Sequence, residues 1–169
     1  EVVLPEVPGS GLASLRELAR CEDAARLAPD PLRRLAALLP ASPPVAETVA
    51  ARLRLSKAQR ARLVCAAGRV EEDRDDPRAL AYAGGLDCAI DRLLLAGADP
   101  APLLGWQVPE LPLKGGEIVA RGVGAGPEVA RTLREVERRW VAEGFPARAR
   151  VETILDEVLA SRTGSARPA

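Results

Sequence analysis

Apolar positions recur along this chain at helical spacing, and the breaks between them carry helix-start chemistry. In the longest such run Val129, Leu133, Val136 and Trp140 recur at intervals of four, three and four. At about 100° per residue they form one narrow stripe. Asp30-Pro31 and Asp76-Pro77 each set a capping carboxylate before a proline suited to the first helical turn. Ser56 with Gln59 makes a capping box ahead of "RARLVCAAGRV". The pattern predicts helices near 11–27, 31–39, 44–54, 57–71, 77–84, 86–96, 101–106, 116–121, 127–143 and 148–161. No segment carries strand alternation, and no fixed-period repeat is present. The expected fold is all-α: a multi-helix bundle with a smaller C-terminal helical hairpin subdomain.

Composition supports that reading. The chain is 47% hydrophobic and 28% charged, as in globular domains, yet its only aromatics are Tyr82, Trp106, Trp140 and Phe145. A core of leucine, valine and alanine suits helix packing better than a β-sandwich. One stretch breaks the pattern: "DPAPLLGWQVPELPLKGG", with prolines at 100, 102, 109 and 112, reads as a stiff connector. It divides the chain into a helical body at 1–99 and a helical tail at 100–169. The final "SRTGSARPA" reads as a frayed end.

Net charge is zero, so no global field draws nucleic acid or an anionic membrane, and any such contact must be local. Cys21, Cys65 and Cys88 are odd in number and widely spaced, and histidine is absent. That excludes a recognisable zinc site and argues against a disulfide framework. Three free thiols, a reducing cytoplasmic compartment, no metal and no membrane are the corresponding expectations. Methionine is absent and the sequence opens at Glu1, so a portion of a larger protein is expected.

The candidate chemistry lies in "LPLKGGEIVARGVGAGPEVARTLREVERRWVAEGF", from Leu111 to Phe145. Gly126-Pro127-Glu128 opens the long helix, with Gly124 just upstream, and Gly115-Gly116 opens the short one beside Lys114. Free amides at a helix start suit phosphate, and glycines admit a close backbone approach. Opposite the apolar stripe fall Arg131, Arg134 and Arg138, with Glu135 placed to pair with Arg131 and Arg139. Arg121 lies between the two helices. These residues read as a clamp for a nucleic-acid backbone, although a tight helical hairpin with a solvated face also wants glycine, proline and charge. A second basic cluster, Arg52, Arg54, Lys57, Arg60 and Arg62, has no acid between its members. It reads either as a phosphate-tracking surface or as a solvated helix corner. With so few aromatics, base stacking is disfavoured, and shape recognition of a folded RNA fits better.

The same stretch resembles the C-terminal helical region of bacterial CCA-adding tRNA nucleotidyltransferases of the poly(A) polymerase-related type. There a P-L-x-G-x-D-L segment is followed by a G-x-x-x-G-P turn and a long helix. "VVLPEVPG" at Val2–Gly9 resembles the family's stretch after the neck, and "DPLRRLAALLP" and "VAARLRLSKAQRARL" resemble its body helices. The match covers nearly the whole chain and is most specific over 111–145. Glu117 stands where the family usually has aspartate, and a longer side chain is expected to cap less well. The catalytic head is missing: no G-x-D-x-D metal motif and no R-R-D-F-like segment occurs. The resemblance implies a tRNA-binding body and tail, partnered by tRNA and by the enzyme's own N-terminal head and neck. Magnesium, CTP and ATP would serve that absent head, and this chain alone would be inactive, with no cofactor and no catalytic residue.

Two short motifs mimic active-site patterns. "CEDAAR" contains E-D-x-x-R (Glu22, Asp23, Arg26), the family's nucleotide-reading pattern, but downstream of the neck, where it reads as a surface ion pair between Glu22 and Arg26. Asp73-x-Asp75 in "EEDRDD" looks like a two-metal carboxylate pair, yet no strand presents it, and it reads as a solvated capping loop. Two other functional classes fit the same residues: a helical protein-interaction or oligomerisation module, and a stand-alone helical-hairpin nucleic-acid-binding domain.

Overall fold

A computed structural model of the chain describes residues 5–165, with the side chains of 162–165 left aside. The described residues contain nine α-helices and no strand. They are α1 (Gly11–Ala24), α2 (Pro31–Leu38), α3 (Pro43–Arg52), α4 (Lys57–Ala67), α5 (Pro77–Gly84), α6 (Leu86–Leu95), α7 (Gly115–Ala120), α8 (Pro127–Ala142) and α9 (Arg148–Ser165). The predicted start signals act as written. Asp30 accepts from the Arg33 amide at 2.9 Å and Asp76 from the Ala79 amide at 2.9 Å. Ser56 and Gln59 bond each other's amides reciprocally. The helix expected at 101–106 is only a 3-10 turn, Ala101–Leu103, because Gly105 takes a φ of 77° and the prolines remove donors. At the other end, α9 continues through Ser161–Ser165, where a frayed end was expected, and 166–169 lie outside the described residues.

The chain divides into two compact units, Glu1–Val108 and Pro109–Ala169. The division falls beyond residue 99 because the first half of the connector joins the body. Leu103 is buried in a cluster with Ala81, Ala89 and Leu93, and Trp106 packs at its margin.

In the first unit, α2, α3 and α4 share a core rich in small side chains: Ala36, Ala46, Val49, Ala50, Leu63, Ala66 and Ala67. Alanine at the contacts lets helices approach closely without aromatic filler. Leu18, Ala37 and Leu94 join α1, α2 and α6. Between these apolar clusters runs a buried ionic network. Glu22 on α1 is 0% exposed and Asp91 on α6 is 1% exposed. Arg33 on α2 bridges them, its Nη1 2.9 Å from Glu22 and its Nε 2.8 Å from Asp91. Arg34 donates to the second Glu22 oxygen at 3.0 Å. From α4, Arg62 grips Asp91 with two bonds, at 2.6 and 2.9 Å, and pairs with Asp30 at 3.0 Å. Glu22 is thus the hub of a buried network, and not the surface partner of Arg26, which sits past the helix end at a φ of 55°.

Asp73 is corrected in the same way. It is buried, receives two bonds from Arg92 at 2.7 and 2.5 Å, and caps the Val70 amide at 3.0 Å. The cysteines are the third correction. Cys65 on α4 and Cys88 on α6 form a disulfide, their Cα atoms 6.1 Å apart, and Cys21 alone keeps its thiol. The two lie on helices that pack together, a proximity that their separation of 23 residues conceals.

Breaking a buried charge pair leaves the surviving charge unpaired in a poorly solvated place. Asp91→Ala leaves Arg33 with Glu22 alone and Arg62 with Asp30 alone, and is expected to lower unfolding free energy by about 3 kcal/mol. Glu17→Ala removes only the exposed pair with Arg20, and is expected to cost about 0–1 kcal/mol. Urea unfolding followed by circular dichroism checks both. Equal, small losses would show that the buried network carries no special share.

Candidate nucleic-acid interface

In the second unit α8 packs against both α7 and α9. Thr132, Val136 and Trp140 are fully buried on α8, with Val129 and Leu133 half-buried beside them, so the predicted stripe gains Thr132. Threonine escapes a hydrophobic pattern, but its hydroxyl donates to the Glu128 carbonyl at 2.9 Å and leaves its methyl group for packing. The Trp140 ring nitrogen donates to the Pro146 carbonyl at 2.8 Å, and Phe145 meets the indole edge-on at 5.0 Å. Val151, Ile154, Leu155 and Val158 are buried on α9.

Arg131, Arg134 and Arg138 are all exposed, within an arc of about 60° on α8. Two of them have carboxylate neighbours. Arg131 lies 3.4 Å from Glu128, and Arg138 makes bonds of 3.1 and 2.7 Å to Glu135. Arg139 shares Glu135 at 3.0 Å, so Glu135 pairs with Arg138 and Arg139, not with Arg131. Hydrogen bonds from Arg138 and then Arg139 hold the Glu135 carboxyl down at about 2. Arg134 and Lys114 make no ion pair among the described residues.

The glycines separate into different roles. A β-carbon on Gly115 would sit 3.2 Å from Val129, so that glycine serves the close packing of α7 on α8. Gly116 and Gly124 have nothing within 4 Å of such a carbon and leave backbone open. Gly126 turns the chain into α8 at a φ of 116°, a conformation that disfavours any other residue. The start of α7 is not a free anion site. Glu117 accepts from the Lys114 amide at 3.0 Å and also pairs with Arg148, which places a carboxylate where a phosphate would go. Its longer side chain does reach the cap. At the start of α8, Pro127 has no amide hydrogen and the Val129 amide bonds Gly126. Arg121 pairs with Asp156 of α9.

The cluster on the first unit is mostly committed elsewhere. Arg62 belongs to the buried network. Arg52 bonds Glu6 at 2.9 Å, and Arg60 pairs with Glu47. Acids distant in sequence thus enter a stretch that contains none. Arg54 and Lys57 are the members of that cluster that stay exposed and make no ion pair among the described residues. Asp73, bound by Arg92, does not fit a metal ligand, and the described residues hold no group of three His, Cys, Asp or Glu suited to a metal ion. No described helix is long and apolar enough to cross a membrane.

No protein-family model matches the chain, and no curated protein or solved structure matches it either.

What remains as a candidate interface is the exposed arc of α8 and the open backbone at Gly124 before it, with Lys114 exposed at the start of α7. Ion pairs as exposed as those of Arg131 and Arg138 are screened by water, so an incoming phosphate would displace the glutamates at small cost. The Glu135 carboxyl is expected to titrate near pH 2 in side-chain carbon-13 spectra. In Arg138→Ala it should rise toward the ordinary carboxylate range. An unmoved midpoint in that variant would mean Arg138 is not held by Glu135.

Proposed function

We propose that this chain is the tRNA-binding C-terminal portion of a CCA-adding tRNA nucleotidyltransferase, acting in maturation of the tRNA 3′ end. The reading rests on the resemblance over residues 111–145, and the observation that carries it is the exposed arc of Arg131, Arg134 and Arg138. That arc spans about 10 Å of helix axis and borders a turn whose glycines leave backbone open. Such a surface offers charge and shape to a sugar-phosphate backbone and no aromatic side chain on which bases could stack. Its work is positional: it holds the folded RNA so that a distant 3′ end reaches a catalytic head, which would use magnesium, CTP and ATP. Arg54 and Lys57 form a second, smaller place for a phosphate. A cytoplasmic setting follows from this role.

Replacing Arg131, Arg134 and Arg138 together with alanine leaves the packed side of α8 untouched and should preserve the helical spectrum. Binding to folded tRNA, measured at low salt and upward, should weaken, and the log-affinity against log-salt slope should shrink by roughly two to three. Replacing Arg16 and Arg20, which belong to neither patch, should change little. An unchanged affinity and slope in the triple variant would sink the interface. The chain alone, incubated with tRNA, magnesium, CTP and ATP, should add no nucleotide above a protein-free control, since no strand among the described residues presents the carboxylate pair that two-metal transfer requires.

A further inference from the structure

A cavity of about 460 Å³ in the first unit is lined by both Cys65 and Cys88, the two ends of the disulfide. Its other walls include Leu32, Ala58, Gln59, Arg62, Gly84 and Gly85. The two glycines matter most. A β-carbon on Gly84 would lie 3.6 Å from the Cys65 sulfur and 3.7 Å from the Cys88 sulfur, so any larger side chain there would cover the bond. Gly85, at a φ of 87°, would add nothing within 4 Å. The sulfurs are therefore roofed by bare backbone and open to a cavity roomy enough for a small thiol. A disulfide kept purely for stability is normally shielded from such reagents.

The second observation concerns what else joins the same helices. Arg62 and Cys65 lie one turn apart on α4, and Cys88 and Asp91 lie one turn apart on α6. Arg62–Asp91 and Cys65–Cys88 are thus adjacent rungs between one pair of helices, one ionic and one covalent. Leu63, Ala66 and Ala67 are buried alongside on α4. Opening the covalent rung leaves the ionic rung and the core in place.

We infer that Cys65–Cys88 is a reversible redox switch, opened through this cavity by a small dithiol or a glutathione-like thiol. A reductant thiolate attacks the half-buried Cys65 sulfur, and the buried Cys88 departs as a thiolate that takes up a proton. A second reductant thiol then attacks the mixed disulfide and releases Cys65. The protein disulfide gains two electrons and two protons, and the reductant leaves as its own disulfide. Cys21 stays out of the exchange: burial and then Glu17 push its thiol up, which lowers its thiolate fraction. The switch is independent of any role in RNA binding.

The test uses the full chain under native conditions. Air-oxidised protein should give one alkylatable thiol by mass spectrometry, and three after mild dithiothreitol treatment without denaturant. The reduced form should keep its helical circular dichroism but melt lower, by roughly 10–20 °C. Reoxidation should restore the higher value. Cys65→Ser with Cys88→Ser should fold and lose the redox dependence of melting. Gly84→Val, which covers the sulfurs, should slow reduction several-fold with the oxidised melting temperature nearly unchanged. Three thiols in the air-oxidised protein, resistance to native reduction, or unfolding upon reduction would each overturn the switch. So would an unaltered reduction rate in a folded Gly84→Val.

Discussion

The first unit depends on placing charges where water cannot help them. Glu22 and Asp91 are almost wholly buried, and each would cost several kcal/mol there without partners. Arg33 reaches both, Arg34 completes Glu22, and Arg62 completes Asp91 while also holding Asp30. Three carboxylates thus meet three guanidiniums, and no buried side-chain polar atom among the described residues lacks a partner. The geometry works only if α1, α2, α4 and α6 take one relative arrangement. Alanine-rich contacts would tolerate sliding; planar guanidinium forks, which bind carboxylates through two directed bonds, do not. The apolar contacts drive the collapse, and the ionic network selects among the ways these helices could pack.

The same accounting sorts the chain's arginines by availability. An arginine in a satisfied buried network cannot leave it for a phosphate without stranding a carboxylate, so Arg62 is structural despite sitting in the most basic stretch of its unit. An arginine in an exposed pair gives up little when it changes partner. Arg131 and Arg138 are of this second kind, with side chains 62% and 68% exposed. Local charge density is therefore a poor guide to a phosphate surface. Four arginines face three glutamates along α8, so even there any attraction for a phosphate would be short-ranged.

Helix positions were legible in the sequence because their causes are local. An aspartate before a proline, or a serine three residues before a glutamine, fixes a helix start with atoms only a few bonds apart. The apolar stripe of α8 was legible for the same reason, and Thr132 was missed only because its hydroxyl is satisfied within its own helix. The network and the disulfide were not legible. Arg33 and Asp91 are separated by 58 positions, Arg62 and Asp91 by 29, and Cys65 and Cys88 by 23. Each pairing exists only after the helices have packed. Glu22 shows the consequence. Spacing alone offered Arg26 as a partner, but that residue lies past the end of α1, while Arg33 and Arg34 arrive on the neighbouring helix. The glycine turn was legible as a turn, but the division of labour between Gly115 and Gly116 depends on where Val129 points.

The bonds that tie α4 to its neighbours, Arg62–Asp30 and Cys65–Cys88, respond to different features of the solvent. Burial pushes the Asp30 carboxyl up, but the Arg33 amide and the Arg62 charge outweigh it and hold its pKa below the usual value. Its contribution is therefore present above the ordinary carboxylate pKa and is lost as the pH falls through the lowered folded value. Arg62 would then lose one of its two carboxylates and rely on Asp91. The Cys65–Cys88 rung is indifferent to that titration and yields to thiols instead. Acid weakens the Asp30–Arg62 pair and leaves both rungs between α4 and α6 in place, whereas reductant opens the covalent rung while the ionic one stands. Arg62–Asp91 then holds α4 against α6 without its covalent neighbour.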